Sequence, residues 1–275
     1  MKKQIVYIMA ALILLLTACS EGMAKEQSDK EIEEPAPTET DKVQVNKEVD
    51  QEKEEETEEL VEEIEEPLYE LDATWGFQPI DDANPKVVLL TFDDAPDKHS
   101  LDMAKTLKEL DAPAIFFVNG HFISTDEEKA VLKEIHDMGF AIGNHTNTHP
   151  NLKQISEEQQ KEEIVKVSDA VEEIIGERPK FFRAPFGENP DFSKAIVKEE
   201  GMLLMNWSYG YDWENGYMDA NAIADIMVNA EELRDGSNLL MHDRAWTAEG
   251  LKDIVEGLRE KGYEMLDPAT IKGVE

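Results

Sequence analysis

One cysteine in 275 residues, Cys19, leaves no disulfide framework open within a single chain. The chain also lacks an apolar run of the roughly 20 residues that a bilayer-spanning helix needs. Its longest run, Ile5 to Leu16, stops short of that. Basic side chains are scarce, with 27 Lys and Arg against 62 Asp and Glu and a formal net charge of −35. Binding to phosphate backbones depends on clustered Lys and Arg, so nucleic acid is not an expected partner. A neutral or partly cationic polymer fits this sign better. A further shortage is local. From Glu21 to about Glu70 apolar clusters all but vanish, Pro35 and Pro37 are followed by runs such as Glu54-Glu55-Glu56, and 21 acidic side chains face 5 basic ones. Such a stretch cannot bury enough surface to offset its ordering entropy, and its like charges extend it. We read it as a solvated, disordered acidic stalk; the alternative is a tail that binds a cationic partner.

What precedes the stalk has the order of an export signal: Lys2 and Lys3, then the apolar run. Leu16-Thr17-Ala18-Cys19 closes that run and resembles the bacterial lipobox, in which the chain is cut before the Cys and that Cys is lipidated. The expected organisation is therefore a signal peptide over 1–18, a lipidated Cys19 with the stalk over 19–70, and one domain over 71–275. Such a protein is exported and anchored by lipid to the outer face of the bacterial cell membrane. The alternative is an ordinary secretory signal with an incidental Cys.

From Leu71 onward about two hundred residues remain, enough for one substantial core. Short apolar runs alternate with helical patterns there. The runs are Val87 to Phe92, Ala114 to Val118, Phe140 to Ile142, Phe181 to Arg183, Met202 to Met205, Asn238 to Met241 and Glu264 to Leu266. Between them lie helical patterns at Ser100 to Leu110, Glu127 to Met138, a long stretch opened by Ser156, around Phe192 to Glu200, around Ala220 to Leu233 and around Ala248 to Lys261. Ser156 with Gln159 reads as a capping box, Ile164, Val167, Val171, Ile174 and Ile175 as an apolar face, and Gly176 as the stop. Alternation of this kind predicts seven parallel strands with crossover helices, as an open doubly wound sheet or an incomplete barrel.

His145-Thr146-Asn147-Thr148-His149 carries the chemistry, because two imidazoles four positions apart can turn to one side and hold one metal ion. Thr91-Phe92-Asp93-Asp94, at the end of an apolar run, offers a carboxylate as third ligand. Two His and one carboxylate leave a position open for water, which is the composition of a catalytic rather than a structural zinc site. Three further stretches each follow an apolar segment: Arg183-Ala184-Pro185-Phe186-Gly187, Tyr211-Asp212-Trp213 and Leu240-Met241-His242-Asp243.

These five stretches, in this order, resemble the NodB-type polysaccharide deacetylases, carbohydrate esterase family 4, over roughly Lys86 to Leu266. The resemblance implies a distorted, incomplete (β/α) barrel with its site on the rim where the strands end. It implies Asp94, His145 and His149 as ligands of one divalent metal, Zn2+ first, with Co2+ or another transition metal as alternatives. It further implies Asp93 as general base oriented by Arg183, His242 as general acid held protonated by Asp212, and the backbone N–H of Phe186 as an oxyanion donor. Trp213 corresponds to a groove aromatic that packs on a sugar face, and Leu240 to an apolar floor for the acetyl methyl. Two departures are visible: Ala95 stands where the family has Gly, which raises the expectation of altered loop geometry, and Phe186 replaces a frequent Tyr. His99, His121 and His136 are read as structural or surface residues, Trp246 as an extension of the sugar platform, and Trp75 and Trp207 as core.

The function expected from this set is metal-dependent removal of N-acetyl groups from amino sugars of a cell-wall or extracellular polysaccharide, peptidoglycan first, by a monomer. Chitin, poly-N-acetylglucosamine and acetylated xylan are alternative substrates. The alternative from a different class is a non-catalytic, polysaccharide-binding surface lipoprotein.

Overall fold

The computed structural model describes residues 66–274. The expected signal peptide, the expected lipidation at Cys19 and almost all of the expected stalk fall outside these residues. Among the described residues no helix is long and apolar enough to cross a membrane. A short antiparallel hairpin, β1 (Tyr69–Leu71) and β2 (Phe77–Pro79), comes first. The chain then alternates strand and helix: β3 (Val87–Ala95), α1 (Ser100–Glu109), β4 (Ala114–Val118), α2 (Asp126–Asp137), β5 (Ala141–Asn144), α3 (Glu157–Ile175), β6 (Phe181–Phe182), α4 (Asp191–Glu199), β7 (Leu203–Leu204), α5 (Ala220–Asn229), β8 (Ser237–His242), α6 (Ala245–Glu260) and β9 (Glu264–Met265). All seven later strands are parallel, in the order β7-β6-β5-β4-β3-β8 with β9 also paired to β3. The sheet curls into a half-barrel, as the alternation predicts.

Successive side chains of a strand point to opposite faces, and both faces of β3 are apolar. Val88, Leu90 and Phe92 pack with Met103, Leu107, Phe116, Ile254 and Leu258, under the helices. Val87 and Leu89 turn the other way and join Ile115, Phe117, Phe181 and Met205. Tyr69 and Phe77 of the hairpin belong to this second cluster, so β1 and β2 pack against that face of the sheet. The hairpin has no counterpart in the sequence reading, because strands of three residues next to an acidic flank carry no periodicity.

The long helix is built as its sequence dictates. Ser156 and Gln159 form the reciprocal capping box of α3, and Gly176 ends it in the left-handed conformation at φ 87°. Ile164, Val167 and Val171 are buried, a face worth roughly 1.5–3 kcal/mol per large side chain. Two helices differ from expectation. α5 stops at Asn229, where Ala230 turns extended (ψ 145°) before Glu231 and Glu232, whose charges oppose a helix C-terminus. α6 starts at Ala245, three residues before the apolar pattern begins, on an N-cap, Arg244, that is not a capping residue type.

Candidate active site

The site is assembled where β3, β5 and β8 end. Asp93 pairs with His242 in the parallel register of β3 and β8. It shares a strand face with Leu89 and Thr91, so its carboxylate points into the half-barrel and is buried. Between Phe92 and Ala95 the register with β4 shifts, and Asp94 takes a left-handed conformation (φ 60°). Asp tolerates that region better than most residues, and an irregularity of this kind re-aims a side chain. The two neighbouring carboxylates are thereby separated, one buried and one at the opening. Ala95, which stands where the resemblance implies Gly, does not itself take a left-handed backbone. The left-handed residue is Asp94; Ala95 is a buried residue of the strand.

The second stretch is a loop, not a helix, after β5. Thr146 and His149 are both left-handed (φ 70° and 59°). Glu163 of α3 pins the loop: its carboxylate accepts from Thr148 N (2.7 Å) and Oγ1 (2.8 Å), and its carbonyl accepts from Asn147 N (3.0 Å). Asn119 donates to the carbonyls of His145 (2.6 Å) and Thr146 (3.1 Å). His145 is buried, and its Nδ1–H donates to the Arg183 carbonyl at 2.6 Å, which leaves the Nε2 lone pair free to point at the site. Burial pulls this imidazole below its ordinary pKa, with Asp93 opposing, so it is neutral. His149 Nε2 lies 3.6 Å from Asp94 Oδ1. One ligand atom from each of Asp94, His145 and His149 falls within 4.8 Å of the others.

Behind them Arg183 is fully buried. It donates to Asp93 Oδ1 (2.7 Å), Thr91 Oγ1 (2.8 Å), the Asn206 carbonyl (2.9 Å) and Asn238 Oδ1 (3.2 Å). Its guanidinium lies 4.3 Å from the centre of the Phe117 ring. Gly143 makes room for that ring, since a Cβ there would sit 2.4 Å from it. Burial lowers the Arg183 pKa and Asp93 opposes the shift; an arginine stays a cation throughout.

Across the opening, His242 ends β8. Asp212 holds it twice, accepting from its Nδ1 at 2.7 Å and its backbone N at 2.6 Å, while Thr247 Oγ1 donates to the same carboxylate at 2.8 Å. Burial would lower the His242 pKa, but the hydrogen bond and charge of Asp212, with Asp93 and Asp94 behind, raise it above its ordinary value.

These side chains line one open pocket of ≈ 460 Å³ with Phe186, Trp207, Trp213, Leu240 and Arg244. Trp213 stands edge-on to His242 at 5.4 Å, and Phe186 edge-on to His149 at 5.0 Å. Two tryptophans exchange their expected places. Trp207 lines the pocket, whereas Trp246 packs against the core and its indole N–H donates to the Asp212 carbonyl at 2.8 Å. Arg244 went unseen in the sequence. Its Nη2 donates to Asp94 Oδ2 at 2.9 Å, and Asp94 is held below the ordinary carboxylate range against its burial by His242, His145, His149 and Arg244. His99, His121 and His136 stand outside this pocket; His136 bonds Glu177 and His121 bonds the Asn147 carbonyl.

Residues 81–205 match the sequence model of a family described as polysaccharide deacetylase. A peptidoglycan-N-acetylglucosamine deacetylase of Bacillus cereus is 31% identical over 189 residues, which cover 65% of this chain and 68% of the relative. This chain belongs to the polysaccharide deacetylase family. The solved peptidoglycan deacetylase PdaC of Bacillus subtilis superposes on it with a TM-score of 0.61 at 28% identity, covering 68% of this chain and 91% of that one. A CE4 family pseudoenzyme of Bacillus anthracis superposes with a TM-score of 0.59 at 27% identity, covering 66% of this chain and 64% of that one. The expected half-barrel and hydrolase family are thus both met.

Proposed function

We propose that this chain is a metal-dependent deacetylase that hydrolyses N-acetyl groups of amino sugars in peptidoglycan. The observation that carries it is the convergence of Asp94, His145 and His149 between a buried base pair, Asp93 with Arg183, and a buried acid pair, His242 with Asp212. The three donors fit a zinc-like ion: a carboxylate oxygen and two imidazole nitrogens, one of them oriented by a carbonyl on its far side. When bound, such an ion acts as a Lewis acid and brings the pKa of water from 15.7 to about 7. Zn2+ is the first choice, with Co2+ or another transition metal as alternatives.

The chain's own residues do the rest. Asp93 takes the proton of the attacking water on its Oδ2, since its Oδ1 is occupied by Arg183 and kept in place by it. Amide hydrolysis also needs a proton on the leaving amine. His242 delivers it from Nε2, because Nδ1 is committed to Asp212 and the same carboxylate keeps the ring charged. The Phe186 N–H is the proposed donor to the tetrahedral oxygen, a role that a Tyr to Phe change leaves intact. Leu240 floors the pocket for the acetyl methyl, and the exposed ring of Trp213 offers a face to a sugar.

Peptidoglycan is preferred because relatives named for that substrate match this chain, and because an exported, Cys19-anchored protein would work beside the wall. Chitin, poly-N-acetylglucosamine and acetylxylan are the alternatives that a substrate panel resolves. The non-catalytic reading has one observation in its favour, the likeness to a pseudoenzyme. Against it, a binder needs neither Asp93 nor His242.

Acetate release and metal content, measured on the same samples, test the proposal. Asp94→Asn should lose metal, because an amide oxygen is the poorer donor. Asp93→Asn should keep nearly one metal per chain and lose about 10²–10⁴-fold in turnover. A fully active Asp93→Asn would remove this mechanism, and acetate from xylan alone would remove the substrate. For the anchor, Cys19→Ala should release the protein from the membrane fraction; equal retention of both forms, unlipidated, would refute the lipobox.

A further inference from the structure

Arg244 occupies a position that local structure gives it no reason to hold. It is the N-cap of α6, with extended backbone (φ −134°, ψ 148°), no side-chain capping bond, and no acidic residue in the first turn that follows. N-caps favour Ser, Thr, Asn and Asp, whose oxygens accept from the first free N–H groups; a guanidinium can only donate. Its charge also opposes the positive end of a 16-residue helix. Conflicts of this kind between a residue and its local setting are expected at functional positions.

The side chain is committed elsewhere. It crosses from the β8–α6 junction to the tip of β3, where Nη2 donates to Asp94 Oδ2 at 2.9 Å while Nη1 donates to the Asp243 carbonyl at 3.1 Å. Among the described residues it is the one hydrogen-bond donor to the Asp94 carboxylate. The other oxygen, Oδ1, is the one that faces His149 Nε2 at 3.6 Å. Asp94 sits at a register shift in a left-handed conformation, so its side chain is aimed by an irregular backbone and needs a second point of support.

We propose that Arg244 is a positioning residue for the metal site: it holds Oδ2 of Asp94 so that Oδ1 is the single carboxylate oxygen presented beside His145 and His149. This rests on the metal-site reading above. Two effects of the guanidinium oppose each other. Its charge repels a cation, whereas the fixed carboxylate no longer has to be ordered when the ion arrives. Partners of ligating groups typically contribute about 10–100-fold to metal affinity, so orientation wins.

The test is zinc affinity of the purified, metal-free chain, titrated in competition with a chromophoric chelator, together with its melting temperature without metal. Arg244→Ser places a capping oxygen on α6 and removes the reach to Asp94. Its metal-free melting temperature should hold or rise while zinc affinity falls about 10–100-fold. Arg244→Lys, which keeps a long cationic donor at this position, should recover part of that loss relative to Arg244→Ser. Arg244→Asn, a second capping substitution, repeats the Ser experiment. Zinc binding by Arg244→Ser as tight as wild type, or tighter, overturns the proposal. So does a loss of affinity in both capping variants that merely tracks a loss of melting temperature. Asp94→Asn separates the two readings. If wild type binds zinc and Asp94→Asn does not, the metal site stands and the Arg244 results judge Arg244 alone; if neither binds, both readings fall.

Discussion

His145 and His242 face the same pocket from opposite walls, and each uses its Nδ1 on the protein and turns Nε2 inward. The partner of Nδ1 differs. His145 donates to a carbonyl, is buried, and has its pKa lowered; His242 is gripped by the Asp212 carboxylate and has its pKa raised. A carbonyl orients an imidazole and stabilises its charge far less than a carboxylate does, so burial prevails and the ring stays neutral, which suits a ligand. A carboxylate orients it and stabilises the charge, which suits an acid. Burial and the partner of Nδ1 together set the two rings apart.

The largest effects come from removing each ring. His242→Ala should lose about 10²–10⁴-fold in turnover with zinc content unchanged. His145→Ala should lose the zinc itself. If both variants lost metal alike, the division between the two walls would collapse. Elemental analysis alongside acetate release reads both.

Exchanging the partner is a milder intervention. Asp212→Asn keeps a hydrogen-bonding group beside His242 but takes away the charge that holds its pKa up. The acid form is the active one, so activity is lost as pH rises through that pKa. The alkaline limb of the kcat profile should move to lower pH, and an unmoved limb would assign it to another group.

Smaller still are the effects on stability of the metal-free protein, and they have opposite signs. His145 binds its proton more weakly when folded, so its contribution is full above about pH 6.5 and is lost as pH falls through the lowered folded value. His242 binds its proton more tightly when folded, so its contribution is full below about pH 6.5 and is lost as pH rises through the raised folded value. Chemical denaturation across pH should show His145→Gln flattening the acid side and Asp212→Asn the alkaline side, each on the order of 1 kcal/mol. Neither side changing would mean that burial and partner do not set these rings apart.

Much of this was legible in the sequence. The seven strands announce themselves as apolar runs, α3 by its capping box and terminal glycine, and the site by five short stretches in order. What was hidden depends on direction rather than on residue type. Trp207 and Trp246 each lie a few residues past a strand, and only the path of the backbone decides which ring meets the pocket. The separation of Asp93 from Asp94 comes from one left-handed residue, which neither neighbour encodes. Arg244 forms no motif; its signal is negative, an N-cap without a capping side chain, and becomes visible only once the start of α6 is known. The smallest prediction follows from Asp94. Because the left-handed residue is not Ala95, Ala95→Gly should bring no gain in turnover and should cost about 0.5–1 kcal/mol, the usual difference between these residues in a strand. A marked gain in acetate release would show that the departure at this position does disturb the site.

Three consecutive residues at the end of β8 each reach a different part of the domain. His242 is tied to Asp212; Asp243 receives His99 N, Ser100 N and Ser100 Oγ at the start of α1, and Arg244 crosses to Asp94. Side chains of adjacent strand residues point opposite ways, so inserting or deleting one residue in β8 would send all three to the wrong addresses together. Chain length between Ser237 and Arg244 is therefore tightly constrained, and an error there would displace His242, the anchor of α1 and the partner of Asp94 in one event.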